Sequence, residues 1–412
     1  MTLLHKLFSV LTLATLACAT PTFADDKKIP EPFSQIVTVE PIVMGQHNAF
    51  VGMTIVGEVI YIFYRHDKTH VSVTGELWER HSSDYGQTWS QATTLYTGEH
   101  LLVDYPEVLK KDPLSKADTR DPRAVTSPDG KFLIVACFVT LAHQKNDDPD
   151  SSDPEDINRR HTNKILTVTL KIPITKGRPD FKNKKIAVVD KKTNSSPLTG
   201  TLFYHKDKLY TSTYGTRTSF FESADDGETW QRVGLCFQVP SQGGSDAISA
   251  NESTTTMVGD MMVSIARPLK NKYGIYAKST DNGRTWGDYA NSPERLDGLH
   301  AVTLNNGRVA VIGRKNSLPR GTFLYVFNSA DYSQEGELFK VAANGYKTGM
   351  DRGYPSIIRH RDKFFVAWYD GELNPEPNRN KHNSTGVYFR QLDYDPQTYT
   401  FSYGSQKTEP VK

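Results

Sequence analysis

The densest run of reactive side chains is Arg65-His66-Asp67-Lys68-Thr69-His70, which follows the strand-like stretch Val59–Tyr64. Such a run offers a cation for an anionic group and a carboxylate for proton transfer. It also offers imidazoles, which titrate near neutral pH without help. A solvated charged turn would have the same composition. A second cluster, Asp118-Thr119-Arg120-Asp121-Pro122-Arg123, packs four charged side chains into six residues. Arg120 and Arg123 suit bidentate recognition of a carboxylate, or else a salt-bridge network. A lone carboxylate, Glu252, stands before the β-prone run Ser253–Val258, and Arg267 ends the apolar run Met261–Ala266. Arg314 ends another such run, with Arg320 close behind. Further on, Gly353 precedes Tyr354, and a glycine there permits a sharp turn that aims the phenol inward. The next strand ends at Trp368-Tyr369-Asp370.

The elements that must carry these residues are short strands. Strand-like runs and turns recur along the chain, and no long amphipathic helix is apparent. Three octapeptides fit one pattern, S-x-D-x-G-x-T-W: Ser82–Trp89, Ser223–Trp230 and Ser279–Trp286. A decayed fourth copy is read at Ser329-Ala330-Asp331. The pattern is that of a hairpin turn. Its Asp accepts bonds from backbone N–H groups in its own turn, its Gly supplies φ > 0, and its Trp tucks beneath as a small core. Asn305-Asn306-Gly307 marks a further tight turn. Self-similar strand units at recurring spacing are the signature of a β-propeller.

The octapeptide resembles the Asp box of the sialidase superfamily, and the resemblance spans most of the chain. It implies an all-β, six-bladed β-propeller. Asp boxes are structural, so the site must be matched residue by residue. In sialidases a Glu begins the first strand of the fourth blade, an Arg ends the next, and an Asp box closes the blade. Glu252, Arg267 and Ser279–Trp286 match this in order and spacing. The resemblance implies that Tyr354 is a nucleophile, Glu252 its base, and Arg267 part of a carboxylate-binding triad. Arg314 and Arg320 both qualify as the third arginine of that triad. Arg65 matches a second arginine at the end of a family strand, Asp67 is the nearest counterpart of the acid/base aspartate, and His70 is a rival proton carrier. Asp121-Pro122 is similar to the Asp-Pro that contacts the substrate's substituents, and Asp370 fits the carboxylate that orients the first triad arginine. Two departures stand out. The family's Arg-Ile-Pro is replaced by Asn48-Ala49-Phe50, and Pro355 follows the tyrosine where the family has Ser. Asp370 is therefore expected to hold Arg65, and Arg120 and Arg123 to supply the missing anion contact.

Residues 1–24 read as a signal peptide: Lys6, an apolar run Leu7–Cys18 too short to span a membrane, and Thr22-Phe23-Ala24 as the cleavage site. Thr15-Leu16-Ala17 is a poor lipobox for Cys18. The expected product is an exported protein, periplasmic or secreted, with 25–412 as one propeller domain. Of the three cysteines only Cys137 and Cys236 would survive, free or paired. The net charge of +2 gives no argument for nucleic acid. His143–His161 reads as a long acidic loop without the spacing of a Ca²⁺-binding hand. No metal constellation and no cofactor motif appears, no membrane span follows residue 24, and a monomer is expected. The partner is a glycan. The leading reading is an exo-acting hydrolase for a terminal acidic sugar. The alternatives are a propeller that binds glycans without cleaving them and a hydrolase for a neutral or uronic sugar.

Overall fold

The computed structural model describes residues 47–68, 70, 74–104, 116–144, 157–158, 165–189, 198, 200–214, 218–237, 250–268, 273–287, 289–317, 321–343, 352–370 and 385–403. Residues 1–46, Arg320 and nearly all of the acidic loop lie outside them. All described residues belong to one compact unit.

Six antiparallel sheets form in chain order, each from a contiguous stretch, and together they make a six-bladed β-propeller. Blade 1 pairs His47–Val56, Val59–Asp67, Glu76–Ser82 and Thr93–Tyr96; blade 4 pairs Ala250–Val258, Met261–Pro268, Ile275–Ser279 and Ala290–Asn291. The first strands of blades 2, 3, 5 and 6 are Lys116–Thr126, Phe203–His205, Asp297–Thr303 and Arg352–His360. The first strands of blades 4, 5, 6, 1 and 2 touch in succession, so they line the axis.

The blades adhere because successive residues of a strand face opposite ways. In the second strand of blade 1, Ile62 packs toward blade 6 and Phe63 toward blade 2. Met262 likewise faces blade 3 and Val263 faces blade 5. A strand buried on both faces reads as a continuous apolar run, which is why Phe132–Val139 and Phe364–Tyr369 carry almost no polar residue. The ring closes where His47 bridges Thr385, with Asn48 Nδ2 donating to the Thr385 carbonyl at 3.2 Å.

The three octapeptide turns share one bonding scheme. In Ser279–Trp286, Ser279 Oγ donates to Asp281 (2.8 Å), Gly283 N donates to Ser279 Oγ (2.9 Å), and Thr285 N donates to Asp281 (2.9 Å). Trp286 Nε1 donates to the Gly283 carbonyl at 3.0 Å. The tryptophan does more than cover its own turn: its ring lies 5.2 Å from Phe220 of the preceding blade. Gly283 has φ +80°, and an added Cβ would lie 2.2 Å from Phe220 Cδ1. The box glycine is therefore needed twice, for its backbone and for close approach of two blades. The decayed copy keeps the Asp331 turn, with Tyr332 at φ 64° stacked on Tyr276 of blade 4 at 4.9 Å. Gly283→Ala combines left-handed strain with overpacking, and should cost roughly 2–4 kcal/mol. Urea unfolding of the variant measures it.

Cys137 and Cys236 are buried and free. Among the described residues, no helix is long and apolar enough to cross a membrane.

Candidate active site

The inner strands are not regular. Those of blades 1, 2, 4, 5 and 6 each carry a one-residue β-bulge, at Ala49/Gly52, Arg120/Arg123, Ala250/Glu252, Asp297/His300 and Gly353/Ser356. The inner strand of blade 3 keeps unbroken register. In four of the bulges one residue takes left-handed φ: Phe50 (58°), Asp121 (47°), Gly298 (60°) and Tyr354 (42°). A bulge re-aims a side chain out of the ladder. For residues as large as Phe and Tyr this backbone is strained, by on the order of 1–3 kcal/mol each, and such strain clusters at functional sites.

Glu252 and Tyr354 meet between blades 4 and 6. The Tyr354 hydroxyl donates to Glu252 Oε1, and Glu252 Oε2 accepts from Gly298 N at 2.5 Å. Gly298 packs against Tyr354, where a Cβ would stand 2.7 Å from the ring. Burial is the largest influence on Tyr354, and together with the Glu252 charge it pushes the phenol well above its ordinary pKa. At neutral pH Tyr354 is therefore a neutral phenol, able to attack an electrophile only as its proton passes to Glu252.

Arg267 faces Glu252 across the blade 4 ladder and bonds it, Nη2 to Oε1, at 2.9 Å. Arg314 faces Asp297 in blade 5, and its guanidinium lies 5.4 Å above the Tyr354 ring. Asp297 links the two arginines, with Oδ2 3.3 Å from Arg267 Nη1 and 3.5 Å from Arg314 Nη2. The sequence reading missed Asp297. Its signal was a carboxylate opening a strand beside a glycine, as a Glu opens the corresponding strand of blade 4.

Arg65 is not on a solvated turn. The strand that began as Val59–Tyr64 runs on to Asp67, and Arg65 is fully buried. It binds Asp67 at 3.0 Å and Asp118 of blade 2 at 2.8 Å, and Nη1 lies 3.3 Å from His47 Nδ1. Asp118 also takes Arg120 Nε at 2.8 Å, and Arg120 Nη2 donates to the His70 carbonyl. Part of the second cluster is thus a salt network joining blades 1 and 2. For Asp118, burial alone would raise the pKa, but the charges of Arg65 and Arg120 outweigh it and hold the carboxyl below its ordinary value. Asp370 is fully buried at the end of its strand, opposite Arg352.

Asn48 occupies the place where the resemblance put the first triad arginine, and Phe50 stands two residues on. Its ring meets Tyr354 edge-on at 5.2 Å, Tyr369 at 5.5 Å and His70 at 5.5 Å, beneath the Arg120 guanidinium at 5.3 Å. Two histidines near the site are poor proton carriers. Burial and the Arg123 charge lower His300 to about 3, and its Nδ1 accepts from Ile357 N at 3.0 Å. Burial and Arg65 lower His66 to about 4. Among the described residues no group of three or more His, Cys, Asp or Glu could hold a metal ion.

No family model and no curated protein matches the chain. Solved structures do. A protein of unknown function from Dyadobacter fermentans superposes with a TM-score of 0.64 at 16% identity, covering 88% of this chain and all of that one. The NanB sialidase of Streptococcus pneumoniae gives 0.59 at 14% identity, covering 90% of this chain and 71% of NanB. Trypanosoma rangeli sialidase, in complex with the inhibitor DANA, gives 0.52 at 14%, and this chain spans 55% of its length. The likeness is one of fold: a sialidase-like propeller.

Proposed function

We propose that this chain is an exported glycoside hydrolase with a tyrosine nucleophile, exo-acting on a terminal acidic sugar of a glycan. The observation that carries the reading is the Tyr354–Glu252 hydrogen bond, made between two blades by side chains of two bulged inner strands. A neutral phenol paired with a carboxylate suits an anomeric centre that bears a negative group, because no anionic nucleophile has to approach it. Arg267 and Arg314, aligned by Asp297, would receive the sugar's acid group. The chain's first 24 residues supply the argument for export.

A second reading concerns the sugar. Asp297 already gives both arginines a carboxylate, and Asn48, with the apolar Phe50 ring two residues on, stands where a further arginine would. Both features favour a neutral sugar held by the same machinery.

The test is a panel of 4-methylumbelliferyl glycosides, sialosides included, with the mature protein and Glu252→Ala. Cleavage of a sialoside that is lost in the variant supports the first reading; cleavage of another sugar supports the second. Silence from a folded wild type across the panel would turn the assignment to a glycan-binding propeller. A fluorinated glycosyl donor should leave its mass on the peptide that contains Tyr354.

A further inference from the structure

We propose that Asp121 is the proton-carrying residue of this reaction, donating to the leaving oxygen and then deprotonating the attacking water. The assignment rests on the reading of Tyr354 as nucleophile and Glu252 as base. It differs from the expectations drawn for Asp67 and His70.

Asp121 is buried, and among the described residues its Oδ1 has no hydrogen-bond partner. An unsatisfied buried carboxylate oxygen is costly and calls for a reason. Asp67 is differently placed. Its Oδ2 accepts from Arg65 at 3.0 Å, and its Oδ1 from Lys68 N at 2.5 Å and Thr74 Oγ1 at 3.2 Å. Asp67 serves the salt network, whereas Asp121 has an oxygen left over.

The backbone explains where that oxygen points. Asp121 occupies the bulge of blade 2 that corresponds to Tyr354's in blade 6, with the same left-handed φ and a proline following each. Phe50 holds the corresponding position of blade 1, between them, touching Tyr354 on one side and Arg120 on the other. A sugar ring resting on Phe50 would have the phenol on one flank and the Asp121 carboxyl on the other. Retaining hydrolysis asks for that division between nucleophile and acid.

The charged groups around Asp121 are Asp118, Arg120 and Arg123 on its own strand and Glu252 on blade 4, with the Tyr354 phenol beyond. Burial is the largest influence and raises its pKa. Arg123 and Arg120 lower it, Glu252 and Asp118 raise it, and the carboxyl ends at about 6. It is thus a proton donor in mild acid and a base above that.

The steps balance. Tyr354 Oη bonds to the anomeric carbon as its proton passes to Glu252. The glycosidic C–O bond breaks, and the leaving oxygen takes the Asp121 proton. Water then attacks the anomeric carbon, giving its proton to Asp121, and the C–O bond to Tyr354 breaks as the phenol recovers its proton from Glu252.

The test compares Asp121→Asn with Asp67→Asn on two glycosides of the sugar the wild type cleaves best, one alkyl and one dinitrophenyl. Asp121→Asn should lose about 10²–10⁴-fold in kcat/KM on the alkyl glycoside. On the dinitrophenyl glycoside, whose leaving group needs no proton, the loss should stay within ~10-fold. Azide should accelerate that variant and yield a glycosyl azide, and the alkaline limb of the pH profile should vanish. Equal losses on both glycosides, or this pattern in Asp67→Asn, would overturn the proposal while leaving the Tyr354–Glu252 reading intact. A wild type that cleaves nothing overturns both. Thermal unfolding supplies a check that needs no substrate. A raised carboxyl pKa gives stability that is present below about pH 4 and is lost as the pH climbs through about 6. The Tm advantage of Asp121→Asn over wild type should therefore grow by roughly 2–3 °C between pH 4.5 and 7.5. A constant difference would count against Asp121 as the titrating group.

Discussion

Tyr354→Phe will abolish turnover while leaving the propeller folded. The substitution removes one oxygen, whose protein partner is Glu252. The ring stays, and with it the packing on Phe50 and Tyr369 and the guanidinium of Arg314 above it. Loss of a covalent nucleophile typically costs 10⁴-fold or more in kcat. The Michaelis constant should change little, because the proposed substrate arginines, Arg267 and Arg314, are untouched. Glu252 loses the phenol but keeps Gly298 N and Arg267 as partners, so the melting temperature should move by only a few degrees. Steady-state kinetics and circular dichroism on the two proteins decide the matter. A variant that retains a tenth of wild-type kcat would remove Tyr354 from the chemistry. A variant that unfolds would make the residue structural.

The second large effect is on stability. Arg65→Met should cost about 3–5 kcal/mol, because it leaves Asp67 and Asp118 buried without their shared cation. All three side chains are almost wholly shielded, at 0%, 3% and 2% exposure. The sign of its pH dependence follows from Asp118, whose carboxyl is held below its ordinary value. Stability from a depressed carboxyl is present above its unfolded pKa, near 4, and disappears as the pH falls through the folded one. The wild type should thus lose stability below about pH 4. In Arg65→Met the buried Asp118 carboxylate loses a cation that holds its pKa down and can take up a proton, so the penalty should shrink on going from pH 7.5 to 4.5. Urea titrations at both values measure it. A penalty that is the same at both would assign Arg65 a packing role rather than an electrostatic one.

The fold was legible because its punctuation is local. An octapeptide with Ser, Asp, Gly, Thr and Trp at fixed offsets satisfies its own hydrogen bonds, so three copies announce the same turn wherever they stand. Glu252 and Arg267 were legible for a related reason: their spacing matches two strands of one hairpin, and the register does pair them. Asp297 escaped notice because its role lies in linking arginines of two blades, a relation that no short window contains. Phe50 escaped as more than an absence. Its left-handed backbone has no local signal, since Phe is not a residue that asks for positive φ. Only the prolines after Asp121 and Tyr354 hinted that two distant strands bend alike. The charged run at Arg65 misled in the opposite direction. It has the composition of a surface turn, and its burial depends on a partner carboxylate in the next blade.

The repeated bulge has a bearing on how such a protein diversifies. Three of the bulges, at Phe50, Asp121 and Tyr354, present a side chain from an equivalent point of the backbone. A change at Asp121 exchanges a functional group without shifting a strand register. The scaffold separates what is selected for folding, the box turns and the double-faced strands, from what is selected for chemistry. A lineage can therefore drift from one sugar to another by single codons at the outlets, while the sequence that builds the blades remains under an independent constraint.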